Sequence, residues 1–99
     1  MADKNDTIAE KVGIDSWDLS AWIEQLGSVP VERVRHADHS ESYEMSVAHI
    51  FRLENGKYAV VIEEGCSCYS SSDAQIELFP TLKRAEESFN EWEKQYANR

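Results

Sequence analysis

One stretch restricts the fold more than any other. From Tyr43 to Leu53 the chain alternates: Tyr43, Met45, Val47, His49, Phe51 and Leu53 fall on one side, Glu44, Ser46, Ala48, Ile50 and Arg52 on the other. A period of two is the signature of a β-strand. Asn55-Gly56 follows, a pair that tolerates the positive φ of a type I′ turn, and the strand character resumes at Tyr58. A two-residue loop sets Leu53 against Tyr58, Phe51 against Val60 and His49 against Ile62. Apolar positions then meet apolar positions, so an antiparallel hairpin in that register is predicted.

The flanking segments supply helices. Asp15 or Ser16 can cap a helix whose apolar residues fall at Leu19, Trp22, Ile23 and Leu26, and Gly27 stands where a left-handed terminal residue belongs. Residues 1–12 hold only Ile8 and Val12 as anchors and read as either a short helix or a frayed tail. Val31 to His36 is β-prone without clean alternation. Gln75 to Phe79 reads as a short strand ended by Pro80. Thr81 then caps a last helix with Leu82, Ala85, Phe89, Trp92 and Tyr96 on one stripe. The expectation is a single α+β domain over residues 1–99. It has an antiparallel sheet of three to four strands, with the N-terminal and C-terminal helices packed on one face.

Charge narrows the function. Nineteen Asp and Glu against ten Lys and Arg leave a net charge of −9 at pH 7. Such a surface repels nucleic acid and anionic membranes and favours basic partners. Its plain consequence is solubility. Its sharper consequence is imitation of a phosphate backbone, by which the acids would occupy a nucleic-acid-binding groove on another protein. Arg33, Arg35 and Arg52 form at most a small basic spot, and no nucleic-acid recognition motif accompanies them. The chain opens polar and acidic, without the apolar stretch of a secretory signal, and no window has the length and apolarity of a membrane span. A cytoplasmic location is expected, with both cysteines reduced.

Both cysteines lie in one loop, Gly65-Cys66-Ser67-Cys68-Tyr69-Ser70-Ser71-Ser72-Asp73. So small and polar a run cannot build a core. Together with Lys57-Tyr58-Ala59-Val60-Val61, Phe79-Pro80-Thr81-Leu82 and Phe89-Asn90-Glu91-Trp92-Glu93, it resembles small uncharacterised bacteriophage and prophage proteins. These carry a Gly/Ser/Cys-rich loop between a strand and an acidic helix. The resemblance covers about a third of the chain. It implies a phage or prophage origin, not an activity. In many relatives the second Cys directly precedes the Asp; here Ser72 precedes Asp73, so no metal or thiol chemistry comes with the likeness.

The residues themselves offer little chemistry. Cys66 and Cys68 with His36 and His39 have the right types for zinc, but C-x-C and H-x2-H are tighter than usual ligand spacings. A Cys66 nucleophile would need His49 or His39 as base and an electropositive setting, which Glu63 and Glu64 oppose. His49, on the apolar face of its strand, reads as a buried, hydrogen-bonded histidine. Glu63-Glu64 and Glu86-Glu87 are adjacent pairs that point apart, so neither makes an acid/base site. Glu86, Glu87, Glu91 and Glu93 are expected on the outer surface of the last helix. No catalytic residue, metal or cofactor is therefore assigned. The expected function is a small acidic protein-binding module that inhibits a host defence or nucleic-acid-processing protein. Its contact surface joins Cys66, Cys68, Tyr69 and Asp73 of the loop with Glu87 and Glu91 of the helix. The alternatives are a structural Cys/His metal module and a homodimeric scaffold protein.

Overall fold

The computed structural model describes residues 4–40, 44–66 and 74–97. In chain order they form α1 (Lys4–Val12), α2 (Ser16–Leu26), β1 (Pro30–Asp38), β2 (Glu44–Leu53), β3 (Tyr58–Cys66), β4 (Gln75–Phe79) and α3 (Leu82–Ala97). The four strands make one antiparallel sheet in the order β1-β2-β3-β4, so the class is α+β as expected.

Local signals set the helix limits. Asp15 accepts the Trp17 N–H at 3.3 Å to start α2, and Gly27, at φ 69°, ends it. Thr81 Oγ1 accepts the Arg84 N–H at 3.3 Å to start α3. Residues 4–12 are helical, and Gly13 is the reason the helix stops there. At φ 78° it donates to the Glu10 carbonyl at 3.3 Å, while Ile14 donates to the Ala9 carbonyl at 2.9 Å. That pair of hydrogen bonds is a Schellman cap, and its left-handed residue favours glycine.

The hairpin register differs from expectation by one residue. Arg52 pairs with Tyr58, Phe51 with Ala59, Ile50 with Val60 and His49 with Val61. The loop is longer than the Asn-Gly pair suggests: Leu53 donates to the Lys57 carbonyl at 2.8 Å and accepts from Gly56 at 3.0 Å. Glu54, Asn55 and Gly56 thus make a three-residue turn with Gly56 left-handed at φ 87°. The slip moves Val60 away from Phe51 and onto the other face of the sheet, beside Ile50.

Both faces of β2 and β3 are consequently buried. On one, Phe51, Leu53, Ala59 and Val61 pack against Ala9 and Val12 of α1 and Leu19, Trp22 and Leu26 of α2. On the other, Ala48, Ile50 and Val60 pack against Ala85, Phe89 and Trp92 of α3. The helices therefore lie on opposite faces and not on one; the molecule has three layers. The unbroken apolar run Tyr58-Ala59-Val60-Val61-Ile62 is the physical reason, since a strand covered on both sides has no polar set of alternate positions. Leu82, Ala85, Phe89 and Trp92 of the α3 stripe face the chain's own sheet and are not left for a second copy. β1 escapes clean alternation because its register shifts between Pro30 and Glu32 and again between Arg33 and Arg35.

Replacing Gly13 tests the first cap. An added Cβ would sit 3.1 Å from the Arg33 guanidinium in a backbone conformation that L-residues avoid. Gly13→Ala is expected to cost about 1–2 kcal/mol, read from the midpoint of urea unfolding.

Candidate functional site

The proposed contact residues divide sharply. Cys68, Tyr69 and Asp73 lie outside the described residues. Cys66 ends β3, opposite Glu44. It stands five residues beyond Val61, the partner of His49, which is roughly 16 Å along a strand. Glu87 and Glu91 are exposed on α3 and line a groove of about 760 Å³ between that helix and β4. Phe79 also lines it, and Glu77 joins the two acids there. Pairing with Val60 puts Glu77 on the α3 face of the sheet.

The groove is acidic in its middle and basic at its ends, with Arg84 and Lys94 the outermost helix residues that line it. Lys94 Nζ lies 3.5 Å from Glu91 Oε1, but both side chains are largely exposed, so the pair contributes little and can be exchanged. Glu77 and Glu87 enter no ion pair among the described residues. Glu93, expected on the outer surface, instead turns toward β1. Its carboxylate meets Arg35 Nη2 at 3.5 Å and His39 Nε2 at 3.0 Å. Arg35 also donates to Asn90 Oδ1 at 2.9 Å and lies 4.3 Å over the Phe89 ring. These contacts fasten β1 to α3.

The other arginines are engaged as well. Arg33 Nη1 donates to the Gly13 carbonyl at 3.2 Å, and Arg52 pairs with Glu32 at 3.2 Å. No free basic spot of the three is left.

A second polar cluster sits on the α1/α2 face. His49 is buried, and its Nε2 lies 3.1 Å from Oε2 of buried Glu63. Its ring stacks on Phe51 at 5.3 Å and on His36, its β1 neighbour, at 5.0 Å, with Trp22 at 6.1 Å. The Nδ1 atom is buried without a hydrogen-bond partner. A carboxylate holding an imidazole is two thirds of a nucleophile-activating triad. The third member is missing, because no hydroxyl or thiol reaches Nδ1 among the described residues. The buried, hydrogen-bonded histidine expected from the strand pattern is what the fold contains. Glu64, next in sequence to Glu63, is exposed, so the two carboxylates diverge as expected.

The zinc set does not assemble around its histidines. His36 shares a face with His49, whereas His39 meets Glu93 and Trp92 of α3 on the other. Among the described residues no group of three or more His, Cys, Asp or Glu converges on a point that could hold a metal. No helix among them is long and apolar enough to cross a membrane.

Of the groove residues only Glu87 and Glu91 were expected as contacts from sequence; Glu77 and Phe79 of β4 were not, nor were Arg84, Ser88, Asn90 and Lys94 of α3. The alternation of Gln75-Ile76-Glu77-Leu78-Phe79 carried the signal, but only strand order and the position of α3 give it meaning. Comparison with protein-family models, curated proteins and solved structures finds no match for the chain.

Two predictions follow from the histidine cluster. Burial, the neighbouring His49 and Arg33 together hold His36 below the ordinary histidine value of 6.5, against smaller opposing pulls from Asp38 and Glu63. The unfolded chain therefore takes up this proton first as pH falls. The His36 contribution to stability should be complete above pH 6.5 and lost as pH drops through the folded value. His36→Gln should flatten that part of a pH–stability curve. Separately, Glu63→Leu leaves the imidazole N–H without an acceptor and should cost about 1–3 kcal/mol in thermal or chemical unfolding, with Glu63→Gln costing less.

Proposed function

We propose that this protein is a small acidic protein-binding module of phage origin. It acts in the host cytoplasm by occupying a basic site on a host defence or nucleic-acid-processing protein, and so inhibits it. The reading rests chiefly on the groove between β4 and α3. Glu77, Glu87 and Glu91 line it together, two of them in no ion pair among the described residues, on a molecule of net charge −9. Carboxylates gathered beside a concave surface present a basic partner with a local field, which speeds encounter and selects against acidic partners. The phage origin is supported by the likeness of the 57–93 segment to phage proteins.

The test begins with tagged protein and host lysate, and continues with whichever partner is retained reproducibly and in purified form. Binding should weaken steeply with salt. Reversal of Glu87 and Glu91 to Lys should reduce affinity by at least roughly tenfold, since like charges across an interface are strongly disfavoured. Calorimetry showing equal affinity for the reversed protein would remove this helix from the contact.

A further inference from the structure

The two edges of the sheet are built in opposite ways. β1 opens with Pro30, carries two register shifts, bears Glu32, Arg33 and Arg35, and is fastened to α3 through Arg35 and the adjoining His39. Proline, bulges and charge are the devices that keep an edge strand from pairing with another chain. β4 has none of the first two. Its five residues keep an unbroken register with β3 and include a single charge, Glu77. Among the described residues, no backbone bond joins β4 to anything beyond the β3 ladder. Alternate residues of such an edge turn their N–H and C=O groups outward, unpaired.

The flanks of that edge also differ in chemistry. On the α3 side lie Glu77 and Phe79, with Glu87 and Glu91 across the groove. On the other side lie Ile76, half-buried against the first core, and Leu78, 41% exposed. A strand laid along β4 would place successive side chains alternately on these two flanks.

We infer that β4 receives an extended segment of a partner protein as a fifth strand, and that the segment alternates basic with apolar residues. Its backbone pairs with the N–H and C=O groups of β4 that have no partner among the described residues. Its basic side chains enter the groove toward Glu77, Glu87 and Glu91, and its apolar ones cover Leu78. Backbone pairing supplies affinity and the alternate side chains supply selection, the division of labour usual in strand addition. Because β4 is five residues long, at most three side chains reach either flank. Arg84 and Lys94 at the groove ends restrict the basic positions to its middle. A second copy of this chain fits less well, because pairing β4 about its central residue sets Glu77 directly against its own equivalent. The inference deepens the proposed function and rests on its choice of groove.

The experiment uses the full chain and a fluorescein-labelled peptide alternating Lys or Arg with Val or Ile, titrated by anisotropy at low ionic strength. Two further peptides carry the same side chains but are N-methylated at alternate amides, one for each register. Binding of the unmethylated peptide is expected, with at least roughly tenfold loss for one of the methylated peptides. A similar loss is expected for the Glu77→Lys/Glu87→Lys protein, with its fold checked by circular dichroism. No binding of the alternating peptide overturns the inference. So does equal binding of both methylated forms, which would mean attraction by charge alone and would leave the acidic-site reading standing. Sedimentation showing a dimer that the Glu77→Lys/Glu87→Lys protein does not form would assign the edge to a second copy and overturn it too. Failure of the acidic-site reading itself is recognised separately, by a captured partner indifferent to reversal of Glu87 and Glu91.

Discussion

The structure depends on one constraint: the two central strands are apolar on both faces. Ile50 and Phe51 are neighbours in sequence, both without exposure, and they point in opposite directions. A strand of that kind is stable only when covered twice. Burying each such side chain is worth about 1.5–3 kcal/mol, so leaving either face to water would remove much of a small domain's stability. The placement of α1 and α2 on one face and α3 on the other follows directly. So does the groove, which lies between α3 and β4 and is lined by both.

Against that apolar background the buried pair His49 and Glu63 is conspicuous. It lies on the α1/α2 face, beside Trp22 and across from His36 on an edge strand. Replacing such a pair with apolar residues is often neutral or stabilising, whereas removing one partner alone is not. The pair therefore acts chiefly as a constraint on register. A slip of β2 against its neighbours would carry the imidazole away from its carboxylate, and a buried polar group would lose the one side-chain hydrogen bond it makes among the described residues.

Charge is arranged by use and not by amount. Carboxylates near the core are matched, Glu63 by His49 and Glu93 by Arg35 and His39. Those beside the open edge of β4 are matched weakly or not at all. The formal charge of −9 says nothing of this division. It appears only once α3 has chosen its face, turning Glu93 inward to β1 and Glu87 and Glu91 outward toward Glu77.

What the sequence determined by itself was local. Asp15 and Gly27 bound α2, Thr81 opens α3, the four strands stand where their composition puts them, and His49 is a core histidine. The helix limits rest on contacts within a few residues, where capping acts, whereas the strands and His49 were marked by the composition or alternation of their own segments. Gly13 was not read from sequence: residues 1–12 left a short helix and a frayed tail both open, and the cap shows only when Ile14 folds back to Ala9. Tertiary structure decided the rest. The three-residue turn at Glu54-Asn55-Gly56 prevailed over the shorter one because its register gives both faces of the hairpin a helix to meet. The distribution of helices over two faces, the separation of His36 from His39, and the meeting of Glu77 with Glu87 and Glu91 are all relations between distant segments. Periodicity specifies which side of a strand a residue occupies. Which neighbour waits on that side depends on strand order and layer, and these are set by how the whole chain buries its apolar surface.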